Sequence, residues 1–351
     1  MGETNDAAAR VRAANHWAFL PQGRLATIRG EVERLRTAGV SGVLVPQIFA
    51  PPWAALGAAA ACDEDVELAS GIAMAFVRSP LETAMAALDL DRLSGGRFTL
   101  GLGSSVRQWN VERFGVDYDR PVARLRELVG LVKRMVTVDD QPRIGRFEGE
   151  FWSVDLDGIR LPRPTRPTLP VTVAPLRAAM TEMAAEVADG ILGHPVWSPR
   201  WITGEMRAAV DRGLAGAGRV RSDLRITAWL RVAITDDIEQ GREDARAGIP
   251  FYASLRQYGS YFDALGIGDD ARRLQDLAES GAPPAEQAAA VSDAMADELV
   301  IIGPADEVAS RIAAVLDVVD DVCITPPNGL APERTRMYDE AIAAHLLPGA
   351  R

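Results

Sequence analysis

The stretch whose reading decides the fold is Leu93-Ser94-Gly95-Gly96-Arg97-Phe98-Thr99-Leu100-Gly101-Leu102-Gly103-Ser104-Ser105. A Gly-Gly turn feeds a short apolar strand. That strand ends in Gly101-Leu102-Gly103 and passes at once into small hydroxyl residues. Glycines at a strand end let a flat or bulky ligand approach the backbone closely. A helical pattern precedes the strand over 80–93, and another follows it over 120–138. The local order is helix, strand, loop, helix. In a parallel barrel the C-terminal end of such a strand is where active sites are built.

The same alternation continues outward. Short apolar, β-leaning runs lie at 16–20, 42–46, 68–76, 98–102, 170–174, 190–194, 224–234 and 321–325. Helical patterns separate them at 23–38, with Ile28, Val32 and Leu35 at helical spacing, and at 80–93, 120–138, 177–188, 199–217, 238–246 and 306–318. This order predicts an α/β chain built as a (β/α)8 TIM barrel, with an open doubly wound sheet as the alternative. Residues 1–351 read as a single domain with two additions. Residues 141–168, rich in Pro, Gly and Arg, predict a long loop with a small hairpin after the fourth βα unit. Residues 248–300 predict a helical insertion over the barrel mouth, where long connections often serve as lids.

Composition excludes several classes. The 351 residues are 48% hydrophobic and carry a formal net charge of -11, which disfavours nucleic-acid binding because phosphate backbones need a basic face. The two cysteines, Cys62 and Cys323, lie too far apart in sequence for a metal motif and read as buried thiols in a reducing cytoplasm. The first ten residues lack the apolar core of a signal peptide. No apolar run approaches the roughly 20 residues of a membrane span. A soluble, cytoplasmic protein with no membrane or nucleic-acid partner is expected.

Common catalytic motifs are missing. Gly101-x-Gly103 is not the dinucleotide fingerprint, since the third glycine would fall at Val106. There is no phosphate loop, no HExxH and no nucleophile elbow. The three histidines, His16, His194 and His345, are too scattered for a zinc cluster, so no metal is expected. An organic cofactor is the better candidate for the chemistry.

Several stretches together resemble the luciferase-like monooxygenase superfamily. They are Phe76-Val77-Arg78-Ser79-Pro80, the 93–103 run, Arg113-Phe114-Gly115, Pro121 to Glu127, Ala185 to Gly190, and Gly303 to Val308. The 76–80 run with His194-Pro195 and Phe251-Tyr252-Ala253-Ser254 resembles the actinobacterial subgroup that depends on coenzyme F420, a deazaflavin. The resemblance implies a TIM barrel that holds F420, or FMN as the alternative, at the C-terminal ends of its strands. It implies hydride transfer, a small-molecule or modified-peptide substrate, and a homodimer or higher homo-oligomer. An FMN-dependent monooxygenase with a partner flavin reductase and a non-catalytic flavin-binding barrel remain the competing readings.

Site residues follow from this frame. Gly103, Ser104 and Ser105 end the fourth strand beside the cofactor ring, and Trp109 and Asn110 follow on its loop. Ala73 and Met74, with Ala75, end the third strand, where related enzymes carry a non-proline cis peptide. Ala174, Leu176, Arg177 and Ala178 form the turn after the fifth strand, whose backbone N–H groups suit a phosphate. The family carries glycine in that turn where Pro175 and Leu176 stand here, and Pro175 removes a donor. His194 and His16 are the acid/base or binding candidates, since an ordinary histidine pKa near 6.5 suits proton transfer, and Ser104 joins them as a catalytic candidate. Tyr252, Tyr258 and Tyr261 are candidate donors or pocket walls, with packing of the helical insertion on the barrel as the favoured alternative. The superfamily's alcohol dehydrogenases place a histidine after strand two and an acid after strand four. Ile48 and Val106 stand there instead, which favours reduction of an activated C=C or C=N bond over alcohol oxidation. Arg107 and Arg177 are the expected basic cluster for a polyanionic cofactor.

Overall fold

The computed structural model describes residues 2–141 and 144–349. Its strands are β1 (Asn15–Phe19), β2 (Gly42–Val45), β3 (Glu67–Ser70), β4 (Ala73–Met74), β5 (Phe98–Gly103), β6 (Arg146–Glu148), β7 (Ser153–Asp155), β8 (Val171–Val173), β9 (Gly190–Leu192), β10 (Arg225–Ile234), β11 (Ile301–Gly303) and β12 (Asp321–Thr325). The parallel order runs β10-β12-β1-β2-β3-β5-β8-β9, and β9 pairs back onto β10. This is a (β/α)8 barrel, and the β9–β10 pairing excludes the open doubly wound sheet. β3 and β4 are two pieces of one barrel strand, and β11 pairs alongside the C-terminal half of β10.

The chain divides into two compact units. One holds Trp17–Leu192 with Ala208–Ile226. Its strands pair in parallel through Val43↔Leu68, Leu68↔Phe98, Leu100↔Val171 and Val173↔Ile191, and all of these side chains are buried. The amphipathic helix Leu25–Thr37 buries Ile28, Val32 and Leu35. The helix Pro80–Leu93 has both starting signals. Pro80 occupies its first turn, and the Ser79 hydroxyl accepts from Glu82 N at 3.1 Å. It stops where Gly95 and Gly96 adopt positive φ, which also turns the chain into β5. Residues 141–168 contain the antiparallel hairpin β6–β7. Glu127 anchors that hairpin by accepting from the backbone N–H groups of Glu150, Phe151 and Trp152.

The other unit holds the residues up to His16, Gly193–Arg207, and those from Thr227 on. Here β10 pairs with β12 through Thr227↔Asp321 to Arg231↔Thr325, then with β11 through Val232↔Ile301. Six helices lie between β10 and β11: Ile238–Arg246, Pro250–Ala253, Gly259–Ala264, Gly268–Glu279, Pro284–Ala289 and Asp293–Leu299. Asp237 and Ser292 cap two of them, accepting from Gln240 N and Met295 N. Asp244 ties the first to the C-terminal helix Pro332–Leu346, accepting from Tyr338 Oη and pairing with Arg334 at 2.6 Å.

Two helices lie outside the sequence expectations. Trp53–Cys62 (WAALGAAAAC) is almost wholly apolar, so it shows no amphipathic period. Gly2–Ala13 is too polar to show an apolar stripe.

Candidate active site

The end of β5 is built by close backbone approach. Ser70 Oγ donates to Gly101 O and accepts from Gly101 N, both at 2.8 Å. A Cβ on Gly101 would lie 2.0 Å from Ser70 O, and one on Gly103 would lie 2.9 Å from Ile72 Cγ1. The missing side chains of both glycines make room for Ser70 and Ile72 of the neighbouring strand segment.

The loop after β5 is fixed from below. Asn110, fully buried, donates from Nδ2 to Ser104 O and Val106 O at 2.9 Å each. Tyr118 Oη donates to Ser105 O at 2.9 Å and lies 3.4 Å from Ser104 Oγ, which itself donates to Ser105 O. Ser105 is held at φ 55, left-handed for a residue with a side chain. Asn110 thus carries the loop rather than presenting a polar group outward. Trp109 opens the π-helical turn Trp109–Arg113. Its ring is 6.1 Å from that of Phe49, which is 92% exposed, and the Arg113 guanidinium stands 5.9 Å over it.

The neighbouring strand ends pack against this loop's strand. Ala73, Met74 and Ala75 are buried. The non-proline cis peptide is Gly71–Ile72, two residues earlier than the sequence reading placed it. Gln47, just after β2, is buried, and its Oε1 accepts from Met74 N at 3.0 Å and from Arg78 Nη1 at 2.9 Å. Arg78 lies over the Trp53 ring, and burial lowers its pKa. Ile48 is 43% exposed and Val106 is buried, so neither the position after β2 nor that after β5 carries a proton-transfer group.

After β8, Ala174 and Leu176 are half-buried and Arg177 is exposed. The helix Ala178–Val187 starts at Arg177 with no side-chain cap and no carboxylate in its first turn. A helix start without an acidic residue in its own first turn suits an anion.

In the other unit, His194 follows β9. Val196 N donates to His194 Nδ1 at 3.4 Å, so Nε2 carries the proton and faces Tyr258 Oη at 3.2 Å. The rings of Tyr252 and Tyr258 are parallel, 9° apart, and each meets the His194 ring edge-on at 5.2 and 5.3 Å. Burial, and then the nearby Arg231 charge, push the His194 pKa down to about 3. The expectation that His194 works near an ordinary histidine pKa is corrected: its imidazole is neutral through the physiological range. His16 is buried with Nε2 at 2.8 Å from Val11 O, and burial lowers its pKa too. Tyr261 is a core residue. Its hydroxyl donates to Val196 O at 2.7 Å and so fixes the chain beside His194. His345 is exposed. Both cysteines are free, and Cys323 is buried.

Sequence reading missed Ser70, Gln47, Tyr118 and Arg231. Only Arg231 left a signal. It stands in phase with Thr227 and Trp229, opposite the apolar face of Ile226, Ala228, Leu230 and Val232. Among the described residues no group of His, Cys, Asp and Glu is placed to hold a metal ion, and no helix is long and apolar enough to cross a membrane.

Residues 8–321 match the luciferase-like monooxygenase family, and the chain belongs to that family and is an enzyme. An uncharacterised protein of Mycobacterium tuberculosis is 33% identical over 283 residues, covering 79% of this chain and 83% of its own. A second protein of that organism, provisionally named a coenzyme F420-dependent oxidoreductase, is 32% identical over 271 residues, 71% of this chain and 75% of its own. The structure of a coenzyme F420-dependent tetrahydromethanopterin reductase from Methanopyrus kandleri superposes with a TM-score of 0.77 at 18% identity. It covers 95% of this chain and 98% of that one.

Proposed function

We propose that this enzyme is a coenzyme F420-dependent oxidoreductase that transfers a hydride to an activated C=C or C=N bond of a small molecule or a modified peptide residue. The observation that carries the cofactor reading is the uncapped, carboxylate-free start of the helix Ala178–Val187 beside the exposed Arg177. Ala174, Leu176, Arg177 and Ala178 would hold the phosphate, while Ala73, Met74, Gly103, Ser104 and Ser105 would line the ring, with Trp109 at its edge. Pro175 takes one backbone donor out of that turn, and Arg177 compensates with charge. Relatives named for the same coenzyme support the choice.

When bound, the reduced deazaflavin supplies two electrons and one proton as hydride. The chain's own residues position and exclude. Asn110 and Tyr118 hold the Ser104–Ser105 backbone in one conformation, and Gln47 fixes Met74. Ile48 and Val106 offer no base to take a proton from an alcohol, which favours the reductive direction. His194, neutral and with both ring nitrogens engaged, fixes the Tyr258 hydroxyl in place. The second proton of the reduction then comes from solvent or a tyrosine. His16, bonded to Val11 O, positions the start of β1. A homodimer or higher homo-oligomer is part of this reading.

Titration of the purified protein with F420 and with FMN, followed by fluorescence, tests the reading. Saturable binding of F420 alone is expected. Binding of FMN alone would replace it with oxygen chemistry, and binding of neither would sink it.

A further inference from the structure

Arg231 is a cation buried without a carboxylate. It is only 6% exposed, and it meets Tyr252, whose hydroxyl it hydrogen-bonds and over whose ring its guanidinium lies at 5.3 Å. Other arginines of the same unit face acids: Arg242 meets Asp297, Arg246 meets Asp293, and Arg334 meets Asp244. A guanidinium taken out of water without a counter-charge is costly, whereas one that meets an incoming oxyanion in a desolvated place binds it strongly.

The surroundings fit a ligand rather than a structural role. Across the strand pair Arg231 stands opposite Thr325, a hydroxyl residue, not an acid. The residues near it, His194, Tyr252 and Tyr258, are half-buried, and two of them are held by a direct hydrogen bond, so the arginine is walled by polar-edged aromatics. A planar guanidinium matches a carboxylate through two parallel N–H···O bonds, with aromatic walls to hold a flat, unsaturated body.

We infer that Arg231, together with the Tyr252 hydroxyl and the walls formed by His194 and Tyr258, is a recognition subsite for an oxyanion of the substrate, a carboxylate in the simplest case. The substrate role rests on the proposed hydride-transfer function, but binding at the subsite does not. The enzyme is therefore expected to act on anionic, unsaturated molecules.

The test uses the whole chain at fixed ionic strength, with benzoate and its neutral isostere benzamide as probes. Binding is read by calorimetry, and F420 affinity is measured separately by fluorescence. Benzoate is expected to bind and benzamide not, and Arg231→Gln is expected to lose benzoate by at least tenfold while binding F420 as before. Equal binding of the two probes, or retention of benzoate by Arg231→Gln, would overturn the subsite. Loss of F420 rather than benzoate would assign the arginine to the cofactor and overturn the substrate role. Wild-type protein that binds F420 but not benzoate refutes the subsite alone. Protein that binds benzoate through Arg231 but no F420 refutes the hydride-transfer reading alone. Tyr252→Phe, which removes one hydroxyl and keeps the ring, is expected to weaken benzoate several-fold, and it serves if Arg231→Gln fails to fold.

Discussion

The Ser70 hydroxyl and the Gly101 peptide exchange two hydrogen bonds, Oγ donating to Gly101 O and accepting from Gly101 N, at 2.8 Å each. The exchange exists because Gly101 has no Cβ, which would stand 2.0 Å from Ser70 O. Gly101→Ala is therefore expected to destabilise the fold by about 3 kcal/mol, as overpacking against rigid backbone does. Ser70→Ala leaves a buried N–H and C=O without their partner and is expected to cost ~1–3 kcal/mol. Urea denaturation of both variants checks this. A Gly101→Ala protein as stable as wild type would refute the close approach.

Asn110 and Tyr118 act on the same loop from two sides. Asn110→Ala removes the side-chain donor to Ser104 O and Val106 O, and Tyr118→Phe removes one of the two donors to Ser105 O. Each is expected to raise the F420 dissociation constant, Asn110→Ala about tenfold or more through a loosened loop. Tyr118→Phe is expected to act several-fold with little loss of stability. Fluorescence titration beside a melting curve separates the two effects. Unchanged affinity in both variants would show that this loop does not hold the cofactor.

Much of this was legible from periodicity. The eight barrel strands stand where apolar runs between helical patterns put them, because the strands are buried and the outer helices carry an apolar stripe. The Trp53–Cys62 helix was hidden because it is apolar on nearly every side. The glycines of 101–103 stand out in the sequence, but their tight packing against Ser70 and Ile72 does not. Whether a missing Cβ admits a ligand or a neighbouring strand depends on what lies across the sheet, and Ser70 and Ile72 are far away in sequence. The same holds for His194. Its position at a strand end was readable, whereas its pKa depends first on burial and then on the Arg231 charge, both set by the fold.

Charge at the turn after β8 offers a direct electrostatic test. Arg177→Glu places a carboxylate at the start of the helix Ala178–Val187, where the dipole would favour it for stability but where it would repel a phosphate. F420 affinity is expected to fall at least tenfold, and more at low salt than at high salt. Arg107, exposed and donating to Tyr118 O at 3.1 Å, is expected to show a smaller loss on reversal. If F420 affinity is indifferent to both reversals, the phosphate lies elsewhere.

His194 ties stability to pH. Its folded pKa is about 3 against an ordinary 6.5, so as pH falls through 6.5 the unfolded chain takes up a proton that the folded chain refuses. The contribution of this residue is fully present above pH 6.5 and is lost progressively between 6.5 and about 3. The limiting slope for one proton is ~1.4 kcal/mol per pH unit, and partial exposure of the ring makes the real loss smaller. His194→Gln removes the titrating group. The stability of wild type relative to this variant is therefore expected to decline as pH is lowered from 7 to 4, and the ring's NMR signals are expected not to titrate between pH 5 and 8. Parallel stability curves, or a histidine resonance titrating near 6.5 that the variant lacks, would show that the ring is hydrated and remains available as a proton donor.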